Sequence, residues 1–295
     1  MPYTRITTRS TVDATLLRLQ SSQSRVGTLQ SQLSSGKRIT KASDDPSGAA
    51  SALQMRSELS RYGQYARNSS DGLAWLGTVD STMQSMLTSV NRVRTLVVQG
   101  SSTGTMSATD RQALATEVAG LRQSLLGAAN TTYLGRPVFG GTTSGPVAYD
   151  STGAYVGDQN VVTRAVGDNQ TVRVDLTGPE AFSAGGTDMF SLLGKIQTDL
   201  LSNTAGLGSD LSSLDGVMNQ MRTGLADVGA RYARIETLTN DAQSRTVNLT
   251  SSLSQVEDSD MAQTAIELSI AQAAYTATLQ STAKVIQPSL MDYLR

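Results

Sequence analysis

Apolar residues recur along most of this chain in alternating steps of three and four, the pattern of a helix with one narrow buried seam. The longest run reads Leu211, Leu214, Met218, Met221, Leu225, Val228, Tyr232, Ile235, Thr239, Ala242, Thr246, Leu249, Leu253 and Val256. It covers roughly 46 residues without a proline, or about 69 Å of helix. A second run follows Leu76, Val79, Met83, Met86, Val90, Val93 and Val97, and extends back through Leu73, Ala66, Tyr62, Leu59 and Met55 after one three-residue break. A third takes in Leu114, Val118, Leu121, Leu125 and Ala128. These patterns predict long rods packed side by side.

Start and stop signals agree with the periods. Asp45 followed by Pro46 sets an N-cap acid ahead of proline at the first helical position, and Asp44 adds negative charge near the same helix end. Ser107 and Asp110 form a cap for the third rod. The stretch Gln99 to Thr105, rich in Gly, Ser and Thr, predicts a turn.

From about Gly135 to Gly186 the heptads vanish and alternation replaces them. Val161–Val166 and Thr171–Leu176, separated by Gly167-Asp168-Asn169-Gln170, predict a β-hairpin. Because this segment carries its own alternating pattern, it is expected to be replaceable without unfolding the rods. Helix resumes over Met189–Leu201.

Both ends keep only weak versions of the period. Val12, Leu16, Leu19, Gln23, Val26, Gln30 and Leu33 put glutamine at two seam positions, and Ala262, Ile266, Ile270, Ala273 and Ala277 form a face of mostly small residues. So little burial predicts segments that order fully only against neighbours. Beyond Val256 an apolar edge of Ile266, Ile270, Val285, Ile286, Leu290 and Leu294 continues at irregular helical intervals. The predicted fold is mainly α: long antiparallel heptad-patterned rods from the N- and C-terminal halves, with a small β-rich inserted domain. The predicted domains are terminal helices over 1–40 and 255–295, a rod domain over 41–134 and 187–254, and an outer domain over 135–186.

Charge and composition narrow the function. The chain of 295 residues has no histidine and no cysteine, and a net charge of −1. That removes imidazole bases, thiol nucleophiles and the usual zinc ligands, and a balanced charge argues against a nucleic-acid partner. No run approaches the roughly 18 apolar residues of a membrane span, and the first residues lack the apolar core of a signal peptide. The charge is skewed along the chain. Arg5, Arg9, Arg18, Arg25, Lys37, Arg38 and Lys41 face only Asp13 within residues 1–43, while Glu257, Asp258, Asp260, Glu267 and Asp292 outnumber Lys284 and Arg295 at the other end. Opposite signs favour pairing of the two ends.

Three candidate chemistries fail on spacing. Gly36-Lys37-Arg38 lacks the first glycine of a phosphate loop, where Ser31 stands, and the hydroxyl residue after the lysine. Asp44 and Asp45 are adjacent at a helix start, where side chains diverge, so capping accounts for them. Glu257-Asp258-Ser259-Asp260 lacks the glycine and distal glutamate of a calcium loop and reads as a helix-starting acidic cluster. No enzyme activity, metal or cofactor is expected.

Two blocks of residues carry a family resemblance. Leu33 through Ala50, with Asn68, Asp71-Gly72-Leu73 and Val93 through Gln99, resembles the N-terminal signature of bacterial flagellins and their relatives. Val256 through Asp260, with Ala262, Leu268, Gln272 and the final Leu294-Arg295, resembles their C-terminal signature. Within that superfamily, Asp44-Asp45-Pro46, Tyr133 through Thr142, Gly178 through Phe182 and the ending Ser289 through Arg295 are similar to the hook–filament junction family. Pro137 departs from it, standing where the family often has an aromatic residue.

The resemblance implies a structural component of the bacterial flagellum, secreted through the flagellar type III export channel. It further implies an adaptor, ringed with copies of itself, that joins hook-associated protein 1 to flagellin; a short flagellin is the alternative. Leu16, Leu19, Val26, Leu33, Ile266, Ile270, Leu290 and Leu294 are the expected assembly interface. The C-terminal apolar edge is expected to be masked before export by a cytoplasmic chaperone.

Overall fold

The computed structural model describes residues 8–102 and 106–286, with side chains from 13 to 283. Its elements run α1 (Thr8–Ser35), α2 (Pro46–Ser101), α3 (Ala108–Ala129), β1 (Thr132–Tyr133), β2 (Arg136–Pro137), β3 (Thr163–Gly167), β4 (Gln170–Arg173), α4 (Gly178–Phe182), β5 (Ser183–Ala184), β6 (Thr187–Asp188), α5 (Met189–Ser202), α6 (Leu207–Glu257) and α7 (Met261–Ile286). The three strand pairs are all antiparallel. The mainly helical class with a small β-rich insert is as the periods predicted. Packing divides the chain into two compact units, residues 61–245 and residues 1–60 with 246–295.

In the unit 61–245, α2 and α6 run antiparallel. Gly72 lies against Ile235, Gly224 against Met83, and Arg94 pairs with Asp215 at 2.7 Å. The heptad residues Leu76, Val79, Met83, Met86, Val90, Val93 and Val97 of α2 are all buried, as are Leu214, Met218, Met221, Val228 and Ile235 of α6. Tyr232 breaks the pattern: it holds a seam position yet is 42% exposed. Ser107 and Asp110 form a reciprocal capping box on α3, as their spacing requires.

Two expectations change. The predicted turn over Gln99–Thr105 starts later, because α2 continues through Ser101. Gly100 is a packing residue here: a Cβ would stand 2.3 Å from Leu200 Cδ2 on α5. The β-hairpin forms, but with shorter strands than the alternation suggested. The chain reverses at Asp168-Asn169, where Asn169 takes a φ of +53°. Nor is the insert a separate layer. Val162, Val166, Val172, Val174 and Leu176 belong to the same apolar core as Trp75, Met83 and Ile235. Arg231 of α6 donates to the Asp175 carbonyl at 2.7 Å, and Asn68 of α2 donates to the Ala165 carbonyl at 2.8 Å. The hairpin is therefore a lid on the rods, and its removal would bare them.

An aromatic cluster fills the rest of the insert. Tyr149 sits among Tyr155, Phe182 and Phe190 with ring centroids 4.7 to 6.1 Å apart. Burial pushes the Tyr149 phenol far above its ordinary range, and pushes that of Tyr155 up to about 12.

Candidate assembly site

The segment from Gly36 to Asp45 and the turn from Glu257 to Asp260 meet in the unit formed by residues 1–60 and 246–295. Gly36, at φ +69°, ends α1 in the left-handed conformation that glycine adopts without strain. The chain then pairs with the end of α6: Arg38 N–H donates to the Glu257 carbonyl at 2.7 Å, and Ser259 N–H to the Gly36 carbonyl at 2.9 Å. Lys37 lies opposite Asp258 in this antiparallel bridge.

Side chains close the splice. Lys37 Nζ stands 2.5 Å from Asp258 Oδ1 and 3.4 Å from Glu257 Oε2, and Arg56 of α2 also pairs with Glu257. Arg38 donates to the Val256 carbonyl at 2.9 Å and reaches Asp45 at 3.3 Å. The hydrogen bond with Asp258 raises Lys37, and the same contact holds Asp258 below the usual carboxylate range.

The capping residues divide their work. Asp45 Oδ1 accepts from Gly48 N–H at 2.9 Å and from the Ser47 hydroxyl, with Pro46 at the first position of α2. Asp44 instead folds the preceding loop, its Oδ2 accepting from Thr40 N–H, Thr40 Oγ1 and Lys41 N–H. Both carboxyls are lowered, Asp44 chiefly by the Lys41 amide and Asp45 chiefly by the Gly48 amide. Gly48 allows the tight entry, since a Cβ would meet Asp45 Oδ2 at 2.5 Å and Ile39 Cδ1 at 2.6 Å. Asp260 Oδ1 accepts from Ala262 and Gln263 N–H and so starts α7.

From this splice α1 and α7 run back against each other. Leu19, Val26 and Leu33 are half-buried and share the inner face of α1 with buried Leu29; Leu16, Gln23 and Gln30 are exposed. On α7 the buried face is Thr264, Leu268, Ala271, Tyr275, Thr278 and Thr282. At 100° per residue this is the side opposite Ala262, Ile266, Ile270, Ala273 and Ala277. The apolar stripe visible in the sequence therefore faces outward, with Ile266 62% and Ile270 63% exposed. Beside Ile270 lies a groove of about 460 Å³, lined also by exposed Leu17, by Arg18 and Arg25, and by Glu267. Leu290 and Leu294 lie outside the described residues.

Sequence reasoning found the charge complementarity of the two ends but not its focus. In the sequence Glu257 reads as part of a helix-starting cluster, whereas it is only 5% exposed and is the acceptor for two cations. Arg56 had no signal of its own. Its partner lies 201 positions away, beyond any local pattern.

Comparison with known proteins follows the same two blocks. Sequence profiles of the bacterial flagellin N-terminal and C-terminal helical regions match residues 6–144 and 211–294. Flagellin of Bacillus subtilis is 30% identical over 264 residues, covering 84% of this chain and 85% of that protein. The chain belongs to the bacterial flagellin family. Another relative of this flagellin-family chain is flagellar hook-associated protein 3 of Escherichia coli, 27% identical over 78% of this chain and 80% of that one. The fold is shared with flagellar hook-associated protein 3 of Legionella pneumophila, at a TM-score of 0.63 and 15% identity, over 69% of this chain and 98% of that chain. FlgL of Bacillus cereus matches with a TM-score of 0.60 at 20% identity, over 68% and 99%.

Proposed function

We propose that this flagellin-family chain is the structural adaptor of the hook–filament junction, joining hook-associated protein 1 to flagellin. The observation that carries the reading is the two-sided α7. Its internal face is threonine and alanine with Leu268 and Tyr275, while its apolar stripe, with Ile266 and Ile270, lies on the opposite, exposed side, Ile270 at the rim of the groove beside α1. Such a helix pair is finished by neighbours of the same kind, as in a tube wall. Leu16, Ile266 and Ile270 would meet those neighbours, while Leu19, Val26 and Leu33 hold the pair together; Leu290 and Leu294 would extend the contact. Flagellin of Bacillus subtilis matches along at least as much of the chain, so the junction role is favoured by the fold shared with hook-associated protein 3 over 98% of that chain, and by the junction-like segments Tyr133–Thr142 and Gly178–Phe182.

The role is structural. The sequence supplies no histidine or cysteine, and the described residues contain no group of metal-binding side chains. No helix among the described residues is long and apolar enough to cross a membrane. Secretion through the flagellar export channel, assembly into one ring of copies, and cytoplasmic masking of the C-terminal edge by a chaperone complete the proposal.

Labelled antibody against the native protein tests it. A single band at the hook tip is expected, and staining along the filament would favour the flagellin alternative. A strain lacking the chain should carry hooks without filaments and shed flagellin into the medium; normal filaments would refute the adaptor role.

A further inference from the structure

The unit 61–245 carries a projecting apolar tip on one side and an unfilled groove on another. The tip is the turn between β1 and β2. Leu134 and Gly135 both take positive φ, +48° and +77°, in the reversal between paired Tyr133 and Arg136. A leucine seldom accepts that conformation, and here its side chain is left 80% exposed. The turn is nevertheless held firmly at its base. Tyr133 donates to Asp71 at 3.2 Å and packs edge-on to Trp75, and Asp71 is fixed in turn by Arg164 at 2.7 Å. Next to Leu134, the exposed Arg136 guanidinium has no ion pair among the described residues.

The groove, of about 340 Å³, lies where Gly77 and Asp80 of α2 face Val228, Gly229 and Tyr232 of α6. A Cβ on Gly77 or Gly229 would meet nothing within 4 Å, so the backbone there is open. Tyr232 is a heptad position left exposed. Asp80 accepts from Gln84 and has no cation beside it among the described residues.

These two features fit each other. Leucine suits a glycine-floored slot beside a tyrosine, and Arg136 suits the uncompensated Asp80. They also lie on opposite sides of one compact unit. At 100° per residue, Asp71 and Tyr133's other support Trp75 occupy one face of α2, while Gly77 and Asp80 occupy the opposite face within about two and a half turns. A contact between different patches at a similar level joins copies head to tail and closes into a ring when the rotation allows. We infer that the Leu134–Arg136 tip of one copy inserts into the Gly77–Gly229 groove of the next copy, with Arg136 pairing to Asp80. This identifies the lateral contact of the ring and rests on the junction reading above.

The chain lacks cysteine, which makes a cross-linking test clean. Full-length protein carrying Leu134→Cys with Gly229→Cys is expressed in the strain lacking the chain, and its flagella are mildly oxidised. A ladder of covalent multimers is expected, with none when Leu134→Cys is combined with Gly120→Cys on α3. Independently, Arg136→Glu and Asp80→Arg should each reduce filament-bearing cells by about tenfold, and the double swap should restore them, as for a directly facing charge pair. Circular dichroism should show all variants equally helical, since every site is exposed or half-exposed. If the antibody band stays at the hook tip but neither the ladder nor the charge rescue appears, the contact is wrong and the junction reading stands. If the native chain is absent from the hook tip, the junction reading fails and this inference with it.

Discussion

Arg56 and Glu257, 201 positions apart, form an ion pair in which the carboxylate is nearly sealed from water while the guanidinium is half exposed. The asymmetry sets their sensitivities to substitution. Glu257→Ala removes the acceptor of Arg56 and leaves Lys37 with Asp258 alone, and should destabilise the splice by about 2 kcal/mol, whereas Arg56→Ala should cost less than about 1 kcal/mol because Lys37 still faces Glu257. Hydrogen exchange of the Arg38 and Ser259 amides reads this directly, and equal losses in the two variants would show that Glu257 has no central role.

A charge in the rod seam should be far worse than one on the outer face of α7. Val90→Asp places a carboxylate at a fully buried position and should cost several kcal/mol, enough to abolish the cooperative thermal transition. Ile266→Asp with Ile270→Asp should leave helix content and melting of the monomer unchanged within about 1 kcal/mol, as for exposed sites. That second variant should still fail to hold filaments. Filaments attached as in the wild type would show that the outward stripe is not an assembly face.

The rods were legible because their cores are built from large aliphatic residues at the helical period, so hydropathy and burial coincide at Leu76, Val79, Met83, Met86 and Val90. At the ends they part company. The inner face of α7 is mostly threonine, alanine and tyrosine, which carry little hydropathic signal, so the eye goes to Ile266 and Ile270 on the wrong side for pairing with α1. The capping residues were readable from local spacing; the Glu257 splice was not, since it depends on three segments remote in sequence. Gly100 is ambiguous in the sequence for a related reason. Glycine marks a turn and a close helix crossing alike, and only the presence of Leu200 decides between them.

The hairpin lid predicts the outcome of trimming the insert. Replacing residues 145–185 with a short linker removes Val162, Val166, Val172, Val174 and Leu176 from the core they share with Met83 and Ile235. At about 1.5–3 kcal/mol for each buried aliphatic side chain, the loss is as large as the usual stability margin of a domain. Cooperative unfolding should therefore be lost. A trimmed protein that melts as sharply as the parent would mean the rods stand alone.

Acid should loosen the insert through Glu180. Arg173 bridges Glu180 and Asp175, and its hydrogen bond holds the Glu180 carboxyl down at about 2. The folded value lies below the unfolded one of about 4.3, so the stabilisation is complete above that pH and disappears as pH falls toward 2. Glu180→Gln should lower stability at neutral pH and flatten its decline in that window. Carboxyl NMR titration gives the Glu180 value itself, and a midpoint near 4 would remove the basis for the prediction.

The threonines that line the inner face of α7 keep their hydrogen bonds to themselves. Thr264 Oγ1 donates to the Asp260 carbonyl, Thr278 Oγ1 to that of Ala274 and Thr282 Oγ1 to that of Thr278, each within its own helix or its cap. Separating α7 from α1 therefore leaves none of these three hydroxyls unsatisfied, and the apolar cover lost on that face is that of Leu268, Ala271 and Tyr275. Below the ion-paired splice these hydroxyls give the two helices no register of their own, and the splice records which strand belongs to which.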